Sequence, residues 1–134
     1  MNMRISKTLV LSLAMLLGAC ATPSPGPEPL NLEKMLAERH YLAGPAVDRI
    51  HNYQLSGWNY VDPYHLIMRA GVKDHYLITL RSYCSDLSQA TSIAFTTTVG
   101  SLTTSDAVLV RGPGSIIDRC YIRYINRLEK TEGI

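Results

Sequence analysis

Asp62 and His65 stand on either side of Pro63-Tyr64, and His75 follows beyond the Gly71 turn. Two imidazoles and a carboxylate are donors of the kind that hold a divalent metal, and the same groups serve as general acid and base. That chemistry requires His75 to stand opposite His65 on the partner strand of a hairpin. A structural role for the same residues is preferred: Asp62 accepts from the amides of its own turn, and both imidazoles sit on a half-exposed sheet face. Trp58, Tyr60, Tyr64 and Tyr76, with His65, form a second candidate group, an aromatic surface for a protein or glycan, although core packing is the preferred explanation of the same residues. No Gly-x-Ser-x-Gly is present, and Gly112-Pro113-Gly114 lacks the lysine of a phosphate loop. No catalytic residue is assigned, no cofactor is expected, and binding is preferred over catalysis.

The chemistry of the cysteines depends on the compartment, which the N-terminus indicates. Arg4 and Lys7 precede an apolar run from Thr8 to Leu17, followed by Gly18, Ala19 and Cys20. A run of about ten residues is half of the roughly 20 that span a bilayer, so it fits a cleaved export signal. Leu17-Gly18-Ala19-Cys20 resembles the lipobox of bacterial lipoproteins. The resemblance implies a signal peptide over 1–19, cleavage after Ala19, and a lipidated Cys20 at the head of the mature chain. Ala21, where an Asp would retain the protein at the inner membrane, implies delivery to the outer membrane, facing the periplasm. With Cys20 assigned to lipid, Cys84 and Cys120 remain as an even pair in an oxidising compartment and are expected to be bonded. Closing that ring contributes about 4 kcal/mol on the chain-entropy model. Arg4 and Lys7 account for the formal net charge of +2. The mature chain is therefore balanced, with no basic stripe for nucleic acid and no acidic tail. The membrane is the expected attachment and an envelope protein or glycan the expected partner, while the oligomeric state is left open.

The elements that must position these residues follow in order. Pro23, Pro25, Pro27 and Pro29 make 20–30 a semi-rigid tether carrying the lipidated cysteine. Asn31 is read as the N-cap of a helix reaching His40, with Leu32, Met35 and Leu36 on one face packed against the domain. Gly44-Pro45 ends that segment. Period-two patterning then predicts a bent strand within Val47–Leu55, strands at Trp58–Val61 and His65–Arg69, and another at His75–Arg81. In the last, Tyr76, Ile78 and Leu80 share a face, and Leu77 breaks the alternation, which marks a central strand covered on both sides. Ser85–Ala90 suits one helical turn, Ser92–Phe95 is ambiguous, and Thr96–Thr104 reads as an exposed edge strand or hairpin arm. Ala107–Val110 reads as buried strand. In Arg119–Arg127, Cys120, Ile122 and Tyr124 face inward. The expectation is a single α+β domain over 31–130 with a short tail at 131–134. It is a small, strongly curved, mostly antiparallel sheet or partly closed barrel of five or six strands with one N-terminal helix.

Gly57-Trp58, Val61-Asp62, His65-Leu66, Tyr76-Leu77, Leu80, Cys84, Cys120 and Ile122 together resemble an uncharacterised family of Gram-negative envelope lipoproteins that carries a domain of unknown function. The likeness runs from about Val47 to Leu128. It implies export and the cysteine pair, and it brings no activity or catalytic residue. Pro63 stands where a second acidic residue is expected, which weighs against a site of paired carboxylates.

Overall fold

A computed structural model describes residues 29–97, 100–115 and 117–132; the expected signal peptide, Cys20 and the tether up to residue 28 lie outside them. Helix α1 spans Pro29–Glu38. It starts two residues ahead of the expected Asn31 cap, because proline suits the first turn, where its fixed φ is helical and its missing N–H has no partner to lose. It ends where His40 takes a left-handed φ of 62°, and the Thr131 amide then donates to the His40 carbonyl at 2.8 Å.

Among the described residues nine strands follow: β1 Tyr41–Ala46, β2 Arg49–His51, β3 Leu55–Asp62, β4 His65–Ala70, β5 Asp74–Leu80, β6 Ser92–Phe95, β7 Ser101–Thr103, β8 Ala107–Arg111 and β9 Ile117–Lys130. A 3-10 turn at Leu87–Gln89 occupies the expected single helical turn. Every pairing is antiparallel. The main path runs β3-β4-β5-β9-β8-β6 and curls into a half-barrel of six strands, while β2 and β7 form a separate ribbon. Strand β9 is long enough to serve three neighbours. Asn126 and Leu128 pair with both β5 and β1, so β1 and β5 lie on opposite edges of β9, and β1 continues the edge that β8 occupies further back.

The interior is filled by Leu66, Met68, Ile78, Leu80, Val108, Val110, Ile122 and Ile125, closed by Ile50 and Leu102 of the small ribbon. A second cluster lies on the outer face, where Leu36 of α1 covers Val61, Ile67, Leu77 and Leu128. Strand β5 is thus buried on both sides, as the break in its alternation predicts. Leu77 belongs to the outer cluster, whereas Tyr76 and Ile78 belong to the inner one.

Three local expectations give way to tertiary effects. Gly44-Pro45 does not end a segment but lies within β1. An edge strand tolerates proline, and the register shift between Ala43 and Ala46 absorbs its missing donor. Glycine is required beside it, since a Cβ on Gly44 would lie 2.7 Å from the Arg127 carbonyl oxygen. In the polar run at 96–104, only Ser101–Thr103 is strand among the described residues, and Leu102 is fully buried. Tyr124 does not face inward with Cys120 and Ile122. Thr79 pairs with Tyr124 but Leu80 with Ile122, so Arg123 is an extra residue that flips the alternation and leaves Tyr124 50% exposed.

Candidate functional site

Asp62 closes β3 and His65 opens β4, so one tight turn sets both. The Tyr64 amide donates to Asp62 Oδ1 at 2.7 Å, the side-chain-to-backbone bond expected of this turn. His65 Nδ1 lies 2.8 Å from Oδ1 and 2.9 Å from Oδ2. A carboxylate only accepts, so Nδ1 carries the proton and donates. Burial pushes the Asp62 carboxyl up. The bonds from the His65 ring and the Tyr64 and His65 amides, with the imidazole charge, outweigh burial and hold it below the usual carboxylate value. Among the described residues no fully buried side-chain nitrogen or oxygen atom lacks a partner, whereas His65 Nε2 has none there and so is not a fully buried atom. Nε2 is therefore the part of the ring open to solvent, although His65 as a whole is 5% exposed.

The turn is held from behind by backbone bonds. The Leu80 amide donates to the Tyr64 carbonyl at 2.7 Å and the Cys84 amide to the Pro63 carbonyl at 3.0 Å. Cys84 is itself bonded to Cys120, with Cα atoms 5.9 Å apart, tying the end of β5 to β9. This anchorage brings Tyr83 beside Tyr64, edge to face, with ring centroids 6.0 Å apart. Tyr83 is 61% exposed, so the two rings form an aromatic rim next to the Asp62–His65 pair. Tyr60 reaches the same neighbourhood: burial first, then the nearby Asp62 and Tyr83, raises its phenol above the usual value.

The candidate residues thus separate. Asp62 and His65 are joined, with Tyr60 and Tyr64 around them. Trp58 and Tyr60 pair with Met68 and Leu66 and pack half-buried against the interior. Tyr76 is buried in that interior under the Arg127 guanidinium, which lies 5.9 Å from its ring centroid. His75 is not brought to Asp62 and His65. The register sets His65 opposite Thr79 and His75 opposite Arg69, and four residues of strand separate the two rungs by roughly 13 Å. His75 Nδ1 instead meets the Lys73 carbonyl at 3.0 Å. Among the described residues, one group of three ligand-type side chains converges, Asp118 with Cys84 and Cys120. Its sulfurs are bonded to each other and are not thiolates. Sequence reasoning missed Tyr83, for which adjacency to a disulfide cysteine was the available signal.

A family model with the description Family of unknown function (DUF6491) matches residues 3–133. No curated protein and no solved structure matches the chain.

Proposed function

The chain belongs to this family of unknown function, and from that premise we propose a lipid-anchored domain of the bacterial envelope that acts by binding, presenting the Tyr64–Tyr83 rim to another envelope component. The observation that carries the reading is the rim itself. A half-buried Tyr64 and an exposed Tyr83 stand beside a carboxylate-oriented imidazole on a turn clamped by a disulfide. Rigid tyrosines provide contact area at low entropic cost, and a preorganised turn lowers the cost of association further. The N-terminal signal pattern, Cys20 and the proline-rich tether support an anchored position in the outer membrane facing the periplasm. Tyr60 stands beside the rim, with His65 as its polar element, whereas Trp58 pairs with Met68 further along β3 and belongs to the interior packing; the partner class is a protein or glycan of the envelope. The test is site-specific photocrosslinking from position 64 in intact cells. Tyr83→Ala should remove the adduct formed by the wild-type rim while thermal unfolding stays unchanged. An undiminished adduct, or a fall in melting temperature with the adduct retained, overturns the assignment.

A second reading, acid–base chemistry, is favoured by one observation: the Asp62-held His65 leaves Nε2 free to accept a proton. Among the described residues, no serine or cysteine hydrogen bonds to His65, so any nucleophile would be water. A His65→Gln variant that retains crosslinking but loses a hydrolytic activity of the wild type would favour this reading.

A further inference from the structure

We propose that the outer face of the sheet carries a binding site for a phosphate group, in a cleft of about 290 Å³ lined by Tyr41, Gly57, Asn59, Arg69, His75 and Lys130. It is independent of the rim, since it lies at the opposite end of the β4–β5 hairpin from Asp62 and His65.

Strand register builds the cleft. Arg69 pairs with His75 across β4 and β5, and Tyr41 pairs with Lys130 across β1 and β9. His75 also pairs with Leu128, so Lys130 follows on the same face of β9. Three strands therefore deliver a guanidinium, an imidazole and an ammonium to one hollow, and none of its described lining residues is acidic. The two ion pairs of the described residues, Asp62–His65 and Asp74–Arg127, lie elsewhere. Among the described residues, Arg69 and Lys130 thus have no carboxylate partner to neutralise them within the cleft.

Two of the three groups are oriented in advance. Arg69 Nε donates to Ser56 Oγ at 3.2 Å and Nη2 to the Ser56 carbonyl at 3.1 Å. These bonds use one edge of the guanidinium and leave Nη1 and the second Nη2 proton as an end-on fork. Gly57 makes room for this placement, because a Cβ there would lie 3.2 Å from Nη2. The His75 ring leans on Tyr41, with centroids 5.2 Å apart. The Lys73 carbonyl can only accept, so His75 Nδ1 donates to it and Nε2 is left for a ligand, as a donor when the ring is protonated. A carboxylate is satisfied by the Arg69 fork alone. Two cationic groups and an imidazole, delivered by three strands, match the several terminal oxygens and the higher charge of a phosphate.

The experiment uses the full chain in nonionic-detergent micelles at low salt and pH 6, titrated with phenyl phosphate and followed by NMR. Saturable binding is expected, weakened about ten-fold or more by Arg69→Gln and by Lys130→Gln. Lys130 is exposed and leaves the Ser56 bonds intact, so its variant keeps the test valid if Arg69→Gln unfolds. Benzoate of the same ring size should bind clearly more weakly. Absence of saturation at millimolar probe, equal binding by Lys130→Gln, or equal binding of benzoate overturns the proposal. Competition separates the sources. Displacement by phosphatidylglycerol in the micelle but not by phosphatidylcholine assigns a lipid headgroup, and displacement by inorganic phosphate alone assigns a soluble phosphate; either result supports the site.

Discussion

Asp62 uses one carboxylate twice, capping the Tyr64 amide and orienting the His65 ring. Both bonds favour the ionised form, so its folded pKa lies below its unfolded value. A depressed carboxyl pKa contributes stability above the unfolded value of about 3.9, and this is lost as pH falls through the lower folded value. Asp62→Asn keeps an acceptor for the Tyr64 amide but removes the charge. It should cost about 1 to 2 kcal/mol at pH 7 and should flatten the acid limb of the melting curve. Thermal unfolding of both proteins between pH 7 and pH 3 checks this, and parallel curves would sink it. The spacing of Asp62 and His65 made this pair legible in the sequence. The failure of His75 to join them was not legible, because a strand pattern carries no register, and a hairpin turned at Gly71 sets His75 against Arg69.

At the scale of elements, β5 and β9 carry the organisation. Leu77 is 3% exposed between the sheet and α1, so Leu77→Ala should destabilise the fold by about 2 to 4 kcal/mol. Denaturant unfolding monitored by circular dichroism checks the magnitude. A change below about 1 kcal/mol would mean that α1 repacks or does not dock. The burial of Leu77 was readable from the broken alternation around it. The outward turn of Tyr124 was not, since a one-residue bulge at Arg123 arises from the need of β9 to serve β5 on one edge and both β8 and β1 on the other. Likewise, Gly44-Pro45 reads as a terminator locally and becomes an edge strand only because Arg127 approaches it closely.

At the scale of the whole molecule, the Cys84–Cys120 bond links the end of the central strand to the strand that joins the two halves of the sheet. Replacing both cysteines with serine should lower the unfolding free energy by about 2 to 5 kcal/mol. It should also weaken the rim's crosslink, because the Cys84 amide holds the Pro63 carbonyl. Chemical denaturation with and without reductant measures the first effect, and a wild type indifferent to reductant would contradict it. The proposed anchor makes a separate prediction. Cys20→Ala should move the protein from the membrane fraction to the periplasm, and wild type recovered in the inner membrane would refute the outer-membrane address while leaving the anchor standing.

The sequence by itself determined the fold class, the cysteine pair, the doubly covered strand and the Asp62–His65 turn. Each depends on composition, on period-two alternation or on residues close in the chain, where local stereochemistry decides the outcome. Only the tertiary structure decided which distant side chains meet. Tyr83 reaches Tyr64 through a backbone bond across the sheet and a disulfide, and Arg69, His75 and Lys130 share a cleft through the pairing of β4, β5, β9 and β1. Register and bulges select those meetings, and they are settled by packing of the whole sheet, because shifting one strand by one residue sends every side chain to the opposite face.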